Sequence, residues 1–336
     1  MRDRSIVHLA AFAGASLLLS ACAHVPRRAE CSAHQGNSWR ELTSAHFTLK
    51  TNVDSKTAQE TILQLERSRS ALLWAWQGKV NPPTRLEAIL LQTREQLREF
   101  APRQAGLFVI DGEGPLIVLA GESDGLSDRA NSEHVHHELA HYLSSYALLR
   151  QPRWLAEGLA SYLETTHPYW DQVRMGDVNL PLLRWNHHHV RVSWDDLWSW
   201  KDSATLSNEE LQSHYATSWL WVHFLFNRHL EEFTDFQARL GRAEQPREAW
   251  RAAFGHIAHA ELEKELEHYL ELGTYSAWLF PMPTIPADLN ERPISDAEVH
   301  IIRARMWSAI ANFDHEIGRR ATAPRTRAHP GLPGSA

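Results

Sequence analysis

His137-Glu138-Leu139-Ala140-His141 constrains this chain more than any other stretch, because its spacing carries chemistry only on an α-helix. Side chains four apart on a helix stack one turn above the other on the same face. Around them Val135, Leu139, Tyr142, Leu143 and Tyr146 recur at helical spacing and form one apolar stripe. The spacing predicts a helix over 132–147 with that stripe in the core and both histidines turned away from it. Two imidazoles so placed can hold one Zn²⁺, each at about 2.0–2.1 Å. Glu138, beside the first of them, can take the proton of a water that the ion activates. The chain carries 21 histidines, so chance competes with this reading. His134 shares the face, which leaves a three-histidine site open, and His136 adds density without a role.

The next helix, over 153–165, decides between these. Leu155, Leu159 and Tyr162 make its apolar stripe, and Glu157, Ser161 and Glu164 make a polar one. A carboxylate flanked by Trp154, Leu155, Leu159 and Leu163 is costly to bury without a partner, and a metal is such a partner. Gly158 sits mid-helix, where it costs about 1 kcal/mol against Ala. With Ala156 and Ala160 it offers a small-residue surface for close approach to a neighbouring helix. The alternative is an exposed helix face with ordinary acidic residues.

His-Glu-x-x-His followed by a glutamate in Trp154-x-x-Glu157-Gly158-x-Ala160 resembles the gluzincins. These include aminopeptidase N-like enzymes and the bacterial peptidase MA-like group, much of it of unknown function, which is the nearest likeness. The resemblance runs from about Trp39 to Leu272. It takes in Ser44-Ala45-His46-Phe47-Thr48 and Tyr215-Ala216-Thr217-Ser218-Trp219 opening a long helix. It implies a zincin-like fold, Zn²⁺ held by His137, His141 and Glu157, and Glu138 as general base. It also implies that Tyr215 donates a hydrogen bond to the oxyanion of the tetrahedral intermediate, a role suited to a phenol aimed at developing negative charge. A tyrosine packed at a helix start is the alternative for Tyr215. Glu164 and Ser161 are candidates to orient a ligand histidine through its second ring nitrogen, solvated surface positions being the alternative. Aminopeptidases of the clan carry Gly-x-Met-Glu-Asn ahead of the active-site helix. Here the region reads Gly112-Glu113-Gly114-Pro115-Leu116-Ile117-Val118-Leu119, so an endopeptidase is the expectation. The strand at 116–120 is expected to bind substrate backbone as an edge strand.

The rest of the chain reads as strands with one helix, then helices, an α+β pattern. Strands are expected at 46–51, 86–91, 107–110 and 116–120, the last two as a hairpin across Asp111-Gly112-Glu113-Gly114. Helices are expected at 57–76, 208–229, 231–240, 245–254 and 259–272. Residues 166–206 look irregular. The resulting division is a leader at 1–22, a tether at 23–38, the main domain at 39–280, a proline-rich linker at 281–294, a helical segment at 295–320 and a tail at 321–336. His187-His188-His189 reads as a polar loop. Trp170, Trp185, Trp194, Trp198 and Trp200 either line a cleft or, as is commoner, fill core.

Arg2, Arg4, an apolar run from Ile6 and Leu19-Ser20-Ala21-Cys22 make an export signal that resembles the lipobox of bacterial lipoproteins. Cleavage after Ala23 of an ordinary signal is the alternative. Lipid on Cys22 would tie the chain to a membrane, and Ala23 after it implies the outer membrane, facing the periplasm. Cys31 would then be a free thiol. A formal charge of -7 argues against nucleic acid as a partner. The sequence-based expectation is a membrane-anchored zinc metallopeptidase with a peptide or protein substrate. Its rival is a catalytically silent gluzincin-fold lipoprotein that acts by binding in the envelope.

Overall fold

The computed structural model describes residues 36–78, 80–100, 106–121, 129–169, 171–201, 206–285 and 288–322. The expectations for Cys22, Cys31, the leader and Trp170 lie outside them. The described chain is α+β: a sheet with flanking helices first, a mostly helical part after it.

A hairpin of β1 (Arg40–Thr43) and β2 (Phe47–Thr51) opens the fold. Helix α1 (Ser55–Leu72), capped by the Asp54 carboxylate on the Thr57 N–H, crosses over to β3 (Leu86–Leu91), which runs parallel to β2. After α2 (Arg94–Phe100) comes the expected hairpin of β4 (Gly106–Asp111) and β5 (Gly114–Ala120), with β5 parallel to β3. The sheet order is β4-β5-β3-β2-β1-β9, where β9 is Asn290–Pro293. The two faces of β3 and β5 are both apolar, so they read as continuous hydrophobic runs. Ala88, Leu90, Ile117 and Leu119 face the main core with α1 and the metal-motif helix α3 (Arg129–Ala147). Ile89, Leu91, Leu116 and Val118 face a second core with α2 and the last helix, α11 (Asp296–Thr322).

Three expectations change. The stretch 281–294 is no plain linker, because β9 pairs antiparallel with β1 and α11 covers the outer sheet face. A strand there escapes notice because edge strands tolerate proline, which leaves no apolar alternation to read. Arg305 of α11 fastens the arrangement, with its guanidinium 2.7 Å from Asp111 and 2.9 Å from Glu87. The segment 116–120 is not an edge strand: β5 lies between β4 and β3, and β4 is the edge. Residues 166–206 are ordered by short elements. These are β6 (His167–Pro168), β7 (Gln172–Met175), α5 (Leu180–His188) and α6 (Trp194–Ser199), with β8 (Trp278–Pro281) completing a second, three-stranded sheet. Such elements are too brief to show a period, but Asn179 and Ser193 cap the two helices.

The helical part is built on α4 (Arg153–Leu163) and α7 (Asn208–Arg228). A Cβ at Gly158 would lie 2.6 Å from the Ser218 carbonyl oxygen, so only glycine permits this approach. The small-residue surface expected on α4 thus meets α7. Helices α8 (Leu230–Gly241), α9 (Pro246–Phe254) and α10 (His259–Leu272) follow. Among the described residues, Trp200 lies in the main core and Trp185, Trp194 and Trp198 pack against it. Trp194 and Trp198 surround the fully buried Trp154 with Trp250 and Phe236, and Trp200 is buried.

Candidate metal centre

Helix α3 turns Val135, Leu139, Tyr142 and Leu143 fully into the core, while Tyr146 at its end is partly exposed. This fixes the rotation of the helix and leaves His137 and His141 on its flank, half-buried, facing α4. The two Nε2 atoms are 3.2 Å apart. Glu157 rises from α4 with one carboxylate oxygen, Oε2, 3.3 Å from His141 Nε2 and 3.8 Å from His137 Nε2. Ligands of a tetrahedral zinc at about 2.05 Å stand about 3.3 Å from one another, so the three donors have the spacing such an ion requires. The His137–His141–Glu157 group lies close enough to hold a metal ion. The chemistry of the set, two neutral imidazoles and one carboxylate, suits Zn²⁺.

The surroundings hold each donor in place. Glu164 caps the C-terminus of α4 and puts Oε2 2.7 Å from His137 Nδ1. With Nδ1–H donated to that carboxylate, the lone pair of Nε2 is left for an ion. The other oxygen of Glu164 accepts from the Asn179 amide, whose own oxygen accepts the Leu182 N–H at the start of α5. Glu157 Oε1 faces the Arg153 guanidinium at 3.3 Å. Burial raises the Glu157 carboxyl, but the facing His141 and His137 outweigh it and hold it well below the usual carboxylate range. Burial likewise opposes charge on His137, and Glu157 and Glu164 reverse that and raise it well above its ordinary value.

Tyr215, in the second turn of α7, comes to the same place. Burial pushes its phenol up, the nearby Glu157 and Glu138 carboxylates push it further, and a hydrogen bond with Arg153 pulls the other way. The net effect is upward, so Tyr215 keeps its proton at neutral pH and can only donate it in a hydrogen bond. Trp200 packs edge-on against Tyr215, with ring centroids 5.7 Å apart, and takes the Arg153 guanidinium over its face at 4.9 Å. Glu138 is half-buried beside the start of the edge strand: a Cβ placed on Gly106 would be 3.7 Å from Glu138 Cγ.

The structure therefore brings together His137, His141, Glu157, Glu164, Tyr215 and Glu138. Ser161 is buried in α4, but the hydrogen bond to His137 comes from Glu164 instead. His134 is exposed and outside the group, which disposes of a three-histidine site. His136 turns the opposite way, with Nε2 2.8 Å from Ser68 Oγ, and burial pushes it down to about 4. His187, His188 and His189 are exposed at the end of α5, and His189 stacks on Trp185. Sequence reasoning missed Arg153 and Asn179. Arg153 stands four residues before Glu157, the spacing of a helical ion pair. Asn179 precedes Leu180-Pro181, a helix-start signal.

Residues 131–246 match a family model described as "Protein of unknown function (DUF1570)". That span contains the candidate metal group of His137, His141 and Glu157, and Tyr215. No curated protein matches the chain.

Proposed function

We propose that this chain is a zinc-dependent peptidase of gluzincin type, anchored in the bacterial envelope through lipid on Cys22, with a zincin-like fold around the metal. The observation that carries this reading is the convergence of His137, His141 and Glu157 at zinc-ligand spacing, with Glu138 and Tyr215 beside them. A binding protein needs neither of the last two.

His137 Nε2, His141 Nε2 and Glu157 Oε2 would hold the ion. A zinc ion bound there supplies Lewis-acid polarisation of a peptide carbonyl and makes a water acidic enough to lose its proton near pH 7. Glu138 receives the proton and returns it to the departing amine, the two halves of general base and general acid catalysis by one carboxylate. Tyr215 donates its O–H to the oxygen on which negative charge develops. Glu164 fixes the ring of His137, and Arg153 engages the outer oxygen of Glu157 so that the inner one faces the histidines. The edge strand β4 passes Glu138 at Gly106 and offers main-chain groups for an extended substrate to pair with. This takes over the part expected of 116–120.

The test is a mixed peptide library incubated with the protein, with and without chelator, alongside metal analysis. One zinc per chain and chelator-sensitive cleavage are expected. Glu138→Gln should keep the zinc and lose cleavage by about 10²–10⁴-fold. Zinc bound without cleavage would sustain the binding-protein reading, and absence of stoichiometric zinc would remove the site.

A further inference from the structure

Arg153 opens α4, one turn before Glu157, and its guanidinium meets partners from three segments of the chain. One nitrogen, Nη2, is 3.3 Å from the outer oxygen of Glu157 on the same helix. The other, Nη1, donates to the Lys201 carbonyl at 3.3 Å. The central carbon lies 4.9 Å from the centroid of the Trp200 ring, and a hydrogen bond joins the group to Tyr215 of α7. Trp200 is buried in the main core, and its ring also stands perpendicular to that of Tyr215, 5.7 Å away. One fixed indole therefore backs both the cation and the phenol. A guanidinium presents five N–H groups in a rigid fork, which lets one side chain serve several acceptors at once.

The fork decides what Tyr215 can do. A guanidinium only donates, so the phenol oxygen is the acceptor in their hydrogen bond, and the O–H is what Tyr215 has left to give. The carboxylate that acts on the phenol most strongly is Glu157, ahead of Glu138. Glu157 is therefore the competing acceptor, and a phenol that donated to it would be turned away from an incoming substrate. Arg153 sits on the outer oxygen of Glu157, while the inner one faces His141 and His137 at 3.3 and 3.8 Å. With both oxygens engaged, the phenol proton stays available.

We propose that Arg153 is a positioning residue of the peptidase site: its guanidinium, backed by Trp200, holds the Tyr215 oxygen and occupies Glu157, so that the phenol O–H is directed to the carbonyl oxygen of the scissile peptide. The inference rests on the peptidase reading and adds a residue to it. Arg153 acts through Tyr215, so its effect grows as negative charge develops on that carbonyl oxygen and is small while the substrate is merely bound.

Two probes test it at saturating zinc: the library peptide that the full chain cleaves fastest, and the phosphinic analogue of that peptide, whose tetrahedral oxyanion imitates the charge that Tyr215 meets. Arg153→Met keeps an apolar stem against Trp200 and removes the fork. It should weaken equilibrium binding of the phosphinic peptide about tenfold and lower kcat by a like factor, the size of one hydrogen bond involving a charged group. KM should stay within about twofold, because ordinary substrate binding does not use the contact. In a Tyr215→Phe background the same substitution should change kcat and phosphinic binding by less than about twofold, since the group that Arg153 aims is gone. Losses that multiply instead would place the action of Arg153 at Glu157 and the metal, and would overturn the proposal. A fall confined to KM, or loss of the zinc from Arg153→Met, would overturn it too. A full chain that neither binds zinc nor cleaves removes the peptidase reading and this inference together, whereas cleavage with multiplying losses removes this inference alone.

Discussion

Glu164 Oε2 and His137 Nδ1 are 2.7 Å apart, and this contact ties the end of one helix to the middle of another. Removing such a carboxylate commonly costs 10- to 100-fold in metal affinity. Glu164→Ala should therefore bind zinc about 10- to 100-fold more weakly, measured by competition with a chromophoric chelator. Unchanged affinity would show that packing alone orients His137.

The three donors also hold α3 against α4, so an ion that binds only the folded chain stabilises it. At a zinc concentration a thousandfold above the dissociation constant the gain is about 4 kcal/mol. Chelator should lower the melting temperature by on the order of ten degrees, at about 2–4 °C per kcal/mol for a chain of this size. In Glu157→Ala the same chelator should leave the melting temperature where it is.

Gly158→Ala tests the packing of α4 on α7. The added methyl would meet Val222 Cγ2 at 2.7 Å as well as the Ser218 carbonyl. Overpacking of this kind costs about 1–3 kcal/mol, against about 1 kcal/mol of helix propensity gained. A 2.6 Å contact with backbone puts the cost in the upper half of that range, so net destabilisation of about 1–2 kcal/mol in urea unfolding is expected. Because Glu157 is the preceding residue, zinc affinity should fall with it. A variant as stable as the original would mean that α7 can yield.

His223 predicts the response to acid. It is fully buried on α7, with Nδ1 2.7 Å from the Tyr269 hydroxyl and Nε2 3.1 Å from the Gly176 carbonyl. Burial pushes it down to about 4. The unfolded chain takes up the proton near 6.5, before the folded one does, so stability is lost as pH falls from about 6.5 to about 4. Below the lower value the loss is complete, at about 3 kcal/mol, and above the upper one the histidine contributes no slope. His223→Gln should be flatter over that window by about 1.4 kcal/mol per pH unit. His136, also pushed down to about 4, leaves a residual slope.

Local spacing was the legible part of this molecule. His137 and His141 share one helix, and α10 runs over 259–272 as its periodicity predicts. Glu157 was legible because a carboxylate among large apolar residues demands a partner. Tyr215 came only from the resemblance, since nothing local marks a residue that meets Glu157 through the packing of α7 on α4. The support given by Asn179 to Glu164 spans fifteen residues and a helix boundary, and no periodicity encodes it. β1 and β9 escaped for a different reason. Each is four residues long, and β9 is a strand only through its pairing with β1.

That last pairing has a consequence for the order of events at the ribosome. Arg40 is matched with Pro293, so the strand that completes the first-made sheet is synthesised roughly 250 residues after the strand it pairs with. At roughly 5–20 residues per second, the β1 edge waits on the order of ten seconds or more for its partner. During that interval its unpaired main chain is open to any other strand, including the same hairpin on a neighbouring nascent chain. Chains cut short before residue 290 keep this exposure permanently, and they should be the ones that aggregate.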